Sequence, residues 1–292
     1  MIIIEKMMQE WKNDLFNEFD LQPAIDEMGT SALLKVFLDN IGNLDSLTRE
    51  NVAMAAWTLF GAGGTRYLSD EEFLHAINIA FSETHLFKGI DGGESDDAFM
   101  RGFASLFVRG LMTADCNHGF LSQEQYEAAF DKMLDYMMRE KDRRSFVYEG
   151  KGIIHAVSHG ASALMNFIDH PRFAGVSEKY VSRILDVVKH NVVCEERFAA
   201  VDWADNKIAE VITNLMMQGI NEDAVKTWIE VLMPNVDAIL YTDTHYTYIK
   251  IGTNIEHFLM CLYFALKKAG CGSELGEWIV EYLPKLRKKV YS

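Results

Sequence analysis

A pattern that begins helices recurs along this chain at nearly regular intervals. Residues 67–73 read Tyr-Leu-Ser-Asp-Glu-Glu-Phe, and residues 120–126 read Phe-Leu-Ser-Gln-Glu-Gln-Tyr. In both, the serine side chain can accept a hydrogen bond from the first turn, while Glu72 or Gln125 reaches back to the serine amide, which is the capping box. Weaker versions begin at Ser177, Asn221 and Ser273, so the successive intervals are 53, 55, 44 and 52 residues. The pattern predicts a repeated helical unit.

Each unit is predicted to be a hairpin of two helices. After Ser122 the apolar residues recur every three or four positions, which is the helical period. A second, more apolar helix precedes each cap, over residues 51–60, 98–112, 153–167, 207–217 and 256–268. Helical pairs repeated at this spacing are typical of HEAT and armadillo proteins. The sequence therefore predicts an all-α fold, an α-solenoid of about five helical hairpins.

The whole chain, residues 1–292, is expected to form one curved solenoid domain. Residues 1–44 would supply N-terminal capping helices, near 5–19 and 31–41, and residues 45–292 would carry the repeats. A last helix over 278–289, ending in basic residues, would close the other end. The stretch Tyr241–Ile251 has the composition of a strand. Because a lone strand is unstable, we expect a long connection or a helix there.

Composition excludes several classes of function. The 292 residues are 49% hydrophobic and carry a net charge of −15, which opposes binding to nucleic acid or to anionic lipid. No apolar run is long enough for a membrane helix, and acidic Glu5 follows the start too closely for a signal peptide. The four cysteines are scattered, as is typical of reduced thiols. We expect a cytoplasmic protein, with a protein, a peptide or a small polar ligand as partner.

The segment Glu149–Ser162 holds the strongest candidate site. On a helix, His155 and His159 share one face, because they are four residues apart. Three interpretations stay open. The rings could bridge neighbouring helices, they could serve a small-molecule or catalytic site, or they could hold a divalent metal with Asp142, Glu149 or Asp205. No H-E-x-x-H motif accompanies the pair, so no cofactor is expected unless the metal interpretation holds.

Basic residues provide further ligand-binding candidates. Arg144 belongs to a charged cluster over residues 139–144, and Lys151 lies between it and the histidines. An arginine there could pair with a carboxylate or phosphate, although alternating charges are more typical of a solvated helix end. Arg109 is another candidate. Arg49, Arg101 and Lys207 occupy similar repeat positions, which favours a structural role for those three. Phosphate-binding loops and nucleophile elbows are absent from the sequence.

The chain resembles the bacterial family named domain of unknown function 2785, over about residues 45–270. The similarity lies in residues 99–106, in Phe120-Leu121-Ser122 and above all in residues 140–161, which follow the family pattern E-x-D-x-R-G … K-G-W-x-H-a-v-A-H-G-A-D. It continues through residues 205–209 and 254–266. The resemblance implies a helical-repeat fold and places Asp142, His155 and His159 in a shared polar centre. It implies no activity.

The chain also departs from this family pattern. Ile153 or Ile154 replaces its tryptophan, Ser162 replaces its last aspartate, and Asp205-Asn206-Lys207 is a reduced form of an acidic block that contains arginine. If those missing carboxylates were catalytic in the family, this chain would be impaired as an enzyme.

Two hypotheses of function follow. The first is a binding or interaction module with a concave surface centred on the His155/His159 helix. The second is an enzyme, hydrolase-like or metal-dependent, with a polar pocket at His155, His159 and Asp142. There a histidine would act as general base, and a carboxylate would orient it.

Overall fold

The protein is mainly helical, as predicted. The computed structural model describes residues 20–148, 150–194, 203–232 and 246–291. Within these ranges the helices are α1 Gln22–Met28, α2 Thr30–Asn40, α3 Ser46–Phe60, α4 Asp70–Ala80, α5 Asp97–His118, α6 Gln123–Arg139, α7 Ala156–Asp169, α8 Ser177–Val192, α9 Ala204–Met217, α10 Glu222–Glu230, α11 Thr247–Ala269 and α12 Ser273–Tyr291. A two-residue antiparallel hairpin, β1 Phe146–Val147 with β2 Gly152–Ile153, precedes α7. This hairpin was not predicted from the sequence.

The two predicted capping boxes are confirmed. Ser69 accepts a hydrogen bond from the amide of Glu72, whose carboxylate accepts one from the Ser69 amide, and Ser122 and Gln125 form the same reciprocal pair. Asn221 caps α10 through the amide of Asp223. Ser177 differs, because it is the first helical residue and its neighbour Val176 holds the cap position without a side-chain bond. The two capping boxes therefore begin α4 and α6. Of the weaker candidates, Asn221 caps its helix through its side chain, whereas Ser177 does not.

The helices group into two compact units, Met1–Asn166 and Phe167–Ser292. In the first unit, α3 and α5 lie side by side and point the same way. Arg49, near the start of α3, stacks on Phe99 and Phe103 near the start of α5, and the carbonyl of Gly61, after α3, meets Asn117 and His118 at the end of α5. The single domain over residues 1–292 stays a prediction.

The capped helices α4 and α6 of the first unit repeat this parallel arrangement. Phe73 in α4 stacks on Phe120, just before α6, at 4.1 Å between ring centroids, and Lys132 in α6 lies over Phe81 at the end of α4. Equivalent helices of the hairpins α3/α4 and α5/α6 thus lie next to each other in the same direction, 53 residues apart from cap to cap.

In the second unit, α11 and α12 form an antiparallel hairpin. Gly252 near the start of α11 lies against Val290 at the end of α12, Glu256 forms an ion pair with Arg287, and Tyr263 lies near Gly276. Of the stretch Tyr241–Ile251, residues 241–245 fall outside the described part, and Thr247–Ile251 belong to α11. The predicted helix near 5–19 also falls outside it.

The start of the helix that carries the histidines corrects the sequence prediction. The sequence placed this helix over residues 153–167, whereas α7 begins at Ala156. Residues before it are held in other contacts: the carbonyls of Lys151 and Ile153 accept hydrogen bonds from Arg49, and the amide of Ile154 donates to Ser145. Because these groups are engaged by the hairpin and by α3, the helix cannot extend further toward its N-terminus.

Candidate functional site

The first unit contains a polar strip between two neighbouring helices, α5 and α7. At one end, Gly102 is so close to the carbonyl oxygen of Ile154 that an added methyl group would collide with it. At the other end, the Asn166 side chain donates to the Thr113 hydroxyl at 2.7 Å. The two helices therefore run parallel. We call the polar residues between and beside these contacts the α5–α7 seam, which consists of Arg109, Thr113, His155, His159, Ser162 and Asn166.

His159 is anchored through one nitrogen of its ring. Its Nδ1 lies 3.2 Å from the carbonyl oxygen of Gly102. A carbonyl oxygen only accepts, so Nδ1 carries the proton and donates. The ring also meets the edge of Phe103 at 5.2 Å between centroids. In the neutral tautomer that this bond selects, Nε2 carries a lone pair and is a hydrogen-bond acceptor.

The surroundings of His159 keep its imidazole neutral. Burial is the largest cause that lowers its pKa, to about 3, and electrostatic repulsion by His155, Arg109 and Arg49 lowers it further. The hydrogen bond to Gly102 acts the other way but is outweighed. The side chain keeps partial exposure to solvent. Near neutral pH, His159 therefore has an unprotonated Nε2 on a side chain that is only partly exposed.

His155 lies directly before α7 in a left-handed backbone conformation, with φ 53°. Such a conformation costs a residue other than glycine about 1–2 kcal/mol. The His155 carbonyl accepts the first bond of the helix, from the amide of His159 at 2.8 Å. The two rings lie 5.3 Å apart, and Phe146 meets the His155 ring edge-on at 5.7 Å. The predicted proximity of the two rings is thus present, although His155 lies outside the helix.

Arg109 lies on the same face of α5 as Gly102, two turns further along the helix. Its guanidinium stacks on the ring of Trp57 in α3, 5.0 Å from the centroid. Both side chains keep partial exposure to solvent. Stacking on the indole orients the plane of the guanidinium and restricts the rotation of the side chain.

Arg49 anchors the residues that lead into the seam. Its side chain is fully buried, donates to the carbonyls of Asn43 and Lys151, both at 2.6 Å, and of Ile153 at 3.2 Å, and stacks on Phe99 and Phe103. Burial lowers the pKa of this guanidinium. Since Lys151 directly precedes β2 and Ile153 is its last residue, Arg49 fixes the segment that leads into His155 and α7.

Asp142 and Arg144 form a separate structural pair. The buried Asp142 carboxylate binds Arg144 Nη2 at 2.5 Å and accepts from the Ser95 amide, while Arg144 Nη2 donates to the Ser95 carbonyl. The nearby Lys151 ammonium binds Asp96 at 2.8 Å. These partners engage the Asp142 carboxylate, so the sequence prediction that it orients a histidine gains no support from its contacts.

Two further predicted site residues are Asp205 and Glu149. Asp205 is buried in the first turn of α9, in the second unit. Glu149 falls outside the described residues. Within the described ranges, no three His, Cys, Asp or Glu side chains come close enough together to hold a metal ion. In the part of the chain that the structure describes, the four cysteines form no disulfide bond with one another.

Sequence reasoning missed Trp57, Thr113 and Asn166. Their signal was weak but present: Arg109 and Thr113 are four apart on α5, and His159, Ser162 and Asn166 follow steps of three and four on α7. These two rows of polar residues, one on α5 and one on α7, come together only because the two helices lie parallel. That alignment depends on contacts such as Gly102 with Ile154, which are distant in sequence.

The fold and the seam define a mainly helical protein with a polar strip between the helices α5 and α7. A family model described as protein of unknown function (DUF2785) matches residues 86–264, and the chain belongs to this family. The matched range contains α5 and α7 entirely. Neither the curated proteins nor the solved structures contain a match to the chain.

No helix in the described ranges combines the length and the apolar character that a membrane span requires.

Proposed function

We propose that this protein is a ligand-binding module whose recognition site is the α5–α7 seam. The observation that carries the proposal is the Nδ1 bond of His159 to Gly102, which leaves Nε2 as a fixed acceptor on a partly exposed side chain. A buried polar atom would need an internal partner, whereas an accessible and oriented acceptor is suited to a ligand. The costly backbone conformation of His155 beside it is typical of a functional position.

The α-solenoid remains part of this proposal. Equivalent helices of the hairpins α3/α4 and α5/α6 lie parallel and adjacent, which is how successive repeats stack in HEAT and armadillo proteins. A repeat array exposes the sides of its inner helices, so a binding site on α5 and α7 fits this class. We also keep the cytoplasm as the proposed location, in line with the scattered positions of the four cysteines in the sequence. Proteins, peptides and small polar ligands stay the proposed partner classes.

An enzyme is the second candidate, and one observation favours it. A neutral imidazole whose Nδ1 is fixed by a hydrogen bond and whose Nε2 is accessible is the arrangement of a general base. Here a backbone carbonyl orients the ring, in place of the carboxylate that the sequence suggested. A carbonyl fixes the tautomer but stabilises the imidazolium less than a carboxylate does. This favours binding over proton transfer.

The test uses saturation-transfer NMR with a panel of small polar compounds: amino acids, short peptides, polyols, hydroxy acids and sugar phosphates. His159→Asn keeps an amide that can donate to Gly102 but removes the Nε2 acceptor. His75→Asn, on the exposed face of α4, is the matched control. We expect at least one compound whose signal is lost in His159→Asn and retained in His75→Asn. Equal signals in both variants, or none in the wild type, would contradict the proposal. Consumption of a bound compound by the wild type alone would favour the enzyme.

A further inference from the structure

We propose that a cavity between α2 and α4 binds a small organic cation, an amine with an apolar body. This α2–α4 cleft is lined by side chains from residues 31–39, 69–79 and 84–85. Its volume is about 890 Å³, which lies within the range of about 300–1,000 Å³ that is usual for small-molecule pockets. None of the described residues that line it belongs to the α5–α7 seam, so the inference is independent of the proposed function.

Hydrogen bonds join the two sides of the cleft at both of its ends. Where the two helices begin, the hydroxyls of Thr30 and Ser31 donate to the Glu72 carboxylate, both at 2.5 Å. At the other end, His85 Nε2 lies 3.0 Å from the Leu38 carbonyl oxygen and donates to it, because a carbonyl only accepts. Ser31 and Leu38 are seven residues apart, or about 10 Å of helix. The cleft therefore suits a small molecule rather than a chain that runs along it.

The floor of the cleft is apolar. Leu34 and Leu38 of α2 are almost fully buried, and Ile79 of α4 is partly buried. A ring or a short alkyl chain that covers these side chains removes apolar surface from water, which favours binding. The ligand therefore needs an apolar body in addition to its charge.

The charges of the cleft favour a cation. Apart from two histidines, its charged side chains are the carboxylates of Asp39, Glu71 and Glu72 and the ammonium of Lys35. Three negative charges and one positive charge leave a net charge of −2, and the positive one is already bound to Asp39 at 2.6 Å. Burial lowers the pKa of the His85 ring, which keeps that ring uncharged near neutral pH. A cation is attracted to such a cavity, and an anion is repelled.

Glu71 is the carboxylate to which the ammonium group binds. The neighbouring Glu72 carboxylate already accepts hydrogen bonds from Thr30, Ser31 and Ser69. Glu71 is exposed at the rim of the cleft, and within the described residues it takes part in no hydrogen bond or ion pair. An ammonium bound there keeps part of its hydration, so this ion pair contributes more to selectivity than to affinity.

The experiment compares three compounds that share one apolar body and differ in charge. They are the cation 2-phenylethylamine, the neutral 2-phenylethanol and the anion 3-phenylpropionate, while methylamine supplies the positive charge without the body. Ligand-observed NMR titrations of the full chain at pH 8 give the Kd of each compound. Glu71→Gln removes the carboxylate, and Ile79→Thr reduces the apolar floor. Glu124→Gln is the matched control, because Glu124 is also the second residue after a capping serine, in α6, and lies outside the cleft.

We expect 2-phenylethylamine to bind with a Kd of about 1 mM or tighter, at least about fivefold more tightly than 2-phenylethanol. The anion and methylamine should bind more weakly than the amine. In Glu71→Gln the preference for the amine over the alcohol should fall about two- to fivefold, and in Glu124→Gln it should stay unchanged. In Ile79→Thr both compounds should bind about threefold more weakly, with the same preference between them.

Four outcomes would overturn the inference. The alcohol or the anion could bind as tightly as the amine, or methylamine could do so without the apolar body. The preference could fall equally in Glu71→Gln and Glu124→Gln, which would place the selectivity outside the cleft. The amine could fail to bind at all, as expected if another part of the chain or a second copy covers the cleft. None of these results bears on His159, which the compound panel tests separately.

Discussion

The Nδ1 atom of His159 and the backbone carbonyl oxygen of Gly102 lie 3.2 Å apart, and this contact joins α7 to α5. It fixes the tautomer of the imidazole and at the same time the distance between the two helices. Glycine at position 102 is what allows the approach, because any side chain there would collide with the Ile154 carbonyl. One small residue on α5 therefore determines the chemistry that α7 presents.

His159 should stay neutral throughout the physiological pH range. Burial and neighbouring cations lower its pKa from the usual 6.5 to about 3. NMR titration of labelled histidine should show the Nδ1-protonated tautomer for this residue down to about pH 5. A His159 that titrates near pH 6.5 would contradict the structure.

The same pKa shift makes the fold sensitive to acid. As the pH falls from about 6.5 to about 3, the unfolded chain binds a proton at His159 and the folded chain does not, so the free energy of unfolding decreases. In His159→Asn this part of the decrease should disappear. Urea unfolding at pH 7, 5.5 and 4.5 measures it, with His75→Asn as the control. A wild type and a His159→Asn variant with parallel pH profiles would contradict the assignment.

Gly102→Ala should destabilise the protein by about 1–3 kcal/mol, because the new methyl group meets backbone atoms that cannot rotate away. Gly276→Ala is the control: its methyl group would lie 3.7 Å from the Tyr263 ring, which is ordinary contact. Since alanine is the better helix former, that control should be neutral or stabilised by up to about 1 kcal/mol. Thermal and urea unfolding compare the two. Equal stabilities would show that α5 and α7 are not in the close contact described.

The contrast between Gly102 and the helices around it shows what the sequence could predict. Ser69 and Ser122 form capping boxes because the necessary partners are three residues away, so local pattern is sufficient. The start of α7 was predicted three residues too early, since the helical pattern around Ile153 is overridden by Arg49, about one hundred residues earlier in the chain. A hydrogen bond between residues so far apart in the chain produces no periodic pattern in the sequence.

The candidate site, like the helices, could be predicted only where it depends on local sequence. The closeness of His155 and His159 followed from their spacing, although His155 reaches its place through a left-handed conformation and not through a helical turn. Asp142 was expected beside them, but its own neighbour Arg144, two residues away, holds it. Trp57 joins the site through Arg109, and that contact needs the packing of α3 on α5.

The buried ion pair of Arg101 with Glu140 should be costly to break. Both side chains are almost fully buried, with contacts of 2.6 and 2.8 Å, and Glu140 also accepts from the amide of Asp142. Burial alone lowers the pKa of Arg101, but the hydrogen bonds and charge of Glu140 outweigh this and raise it. Arg101→Met should lose about 3–5 kcal/mol in urea unfolding, because it leaves a buried carboxylate without its partner.

Arg139→Met is the control for that experiment. Arg139 forms ion pairs with Asp91 and Asp135, whose carboxylates are half exposed or more, and such solvent-screened surface pairs contribute little to stability. The double variant Arg101→Met/Glu140→Leu should lose less than Arg101→Met alone, since no charge then remains buried. A loss in Arg101→Met no larger than in Arg139→Met would contradict the buried pair.

The first capping box should be weakened by acid, because it contains the carboxylate of Glu72. The second box contains the uncharged Gln125 and should not change with pH. Burial raises the pKa of Glu72, but hydrogen bonds from Ser31, Thr30 and Ser69 outweigh this and lower it to about 2. A carboxylate with a lowered pKa stabilises the fold above about pH 4.5 and loses that effect as the pH falls toward 2. Glu72→Gln places in the first box the residue type that the second box has at Gln125, and it should lower the free energy of unfolding at pH 7 by at most about 1 kcal/mol. As the pH falls, the free energy of unfolding of this variant should decrease less steeply than that of the wild type. Glu71→Gln, exposed on the same turn, should keep the wild-type profile.

The most direct test of the α5–α7 seam as a binding site is a crystal structure of the full chain soaked, one at a time, with the small polar compounds of the NMR panel. The predicted result is a bound molecule with a donor group within hydrogen-bond distance of His159 Nε2, with Nδ1 still on Gly102. Clear density for the side chains of the seam with no bound molecule, or a ligand bound only elsewhere on the protein, would contradict it.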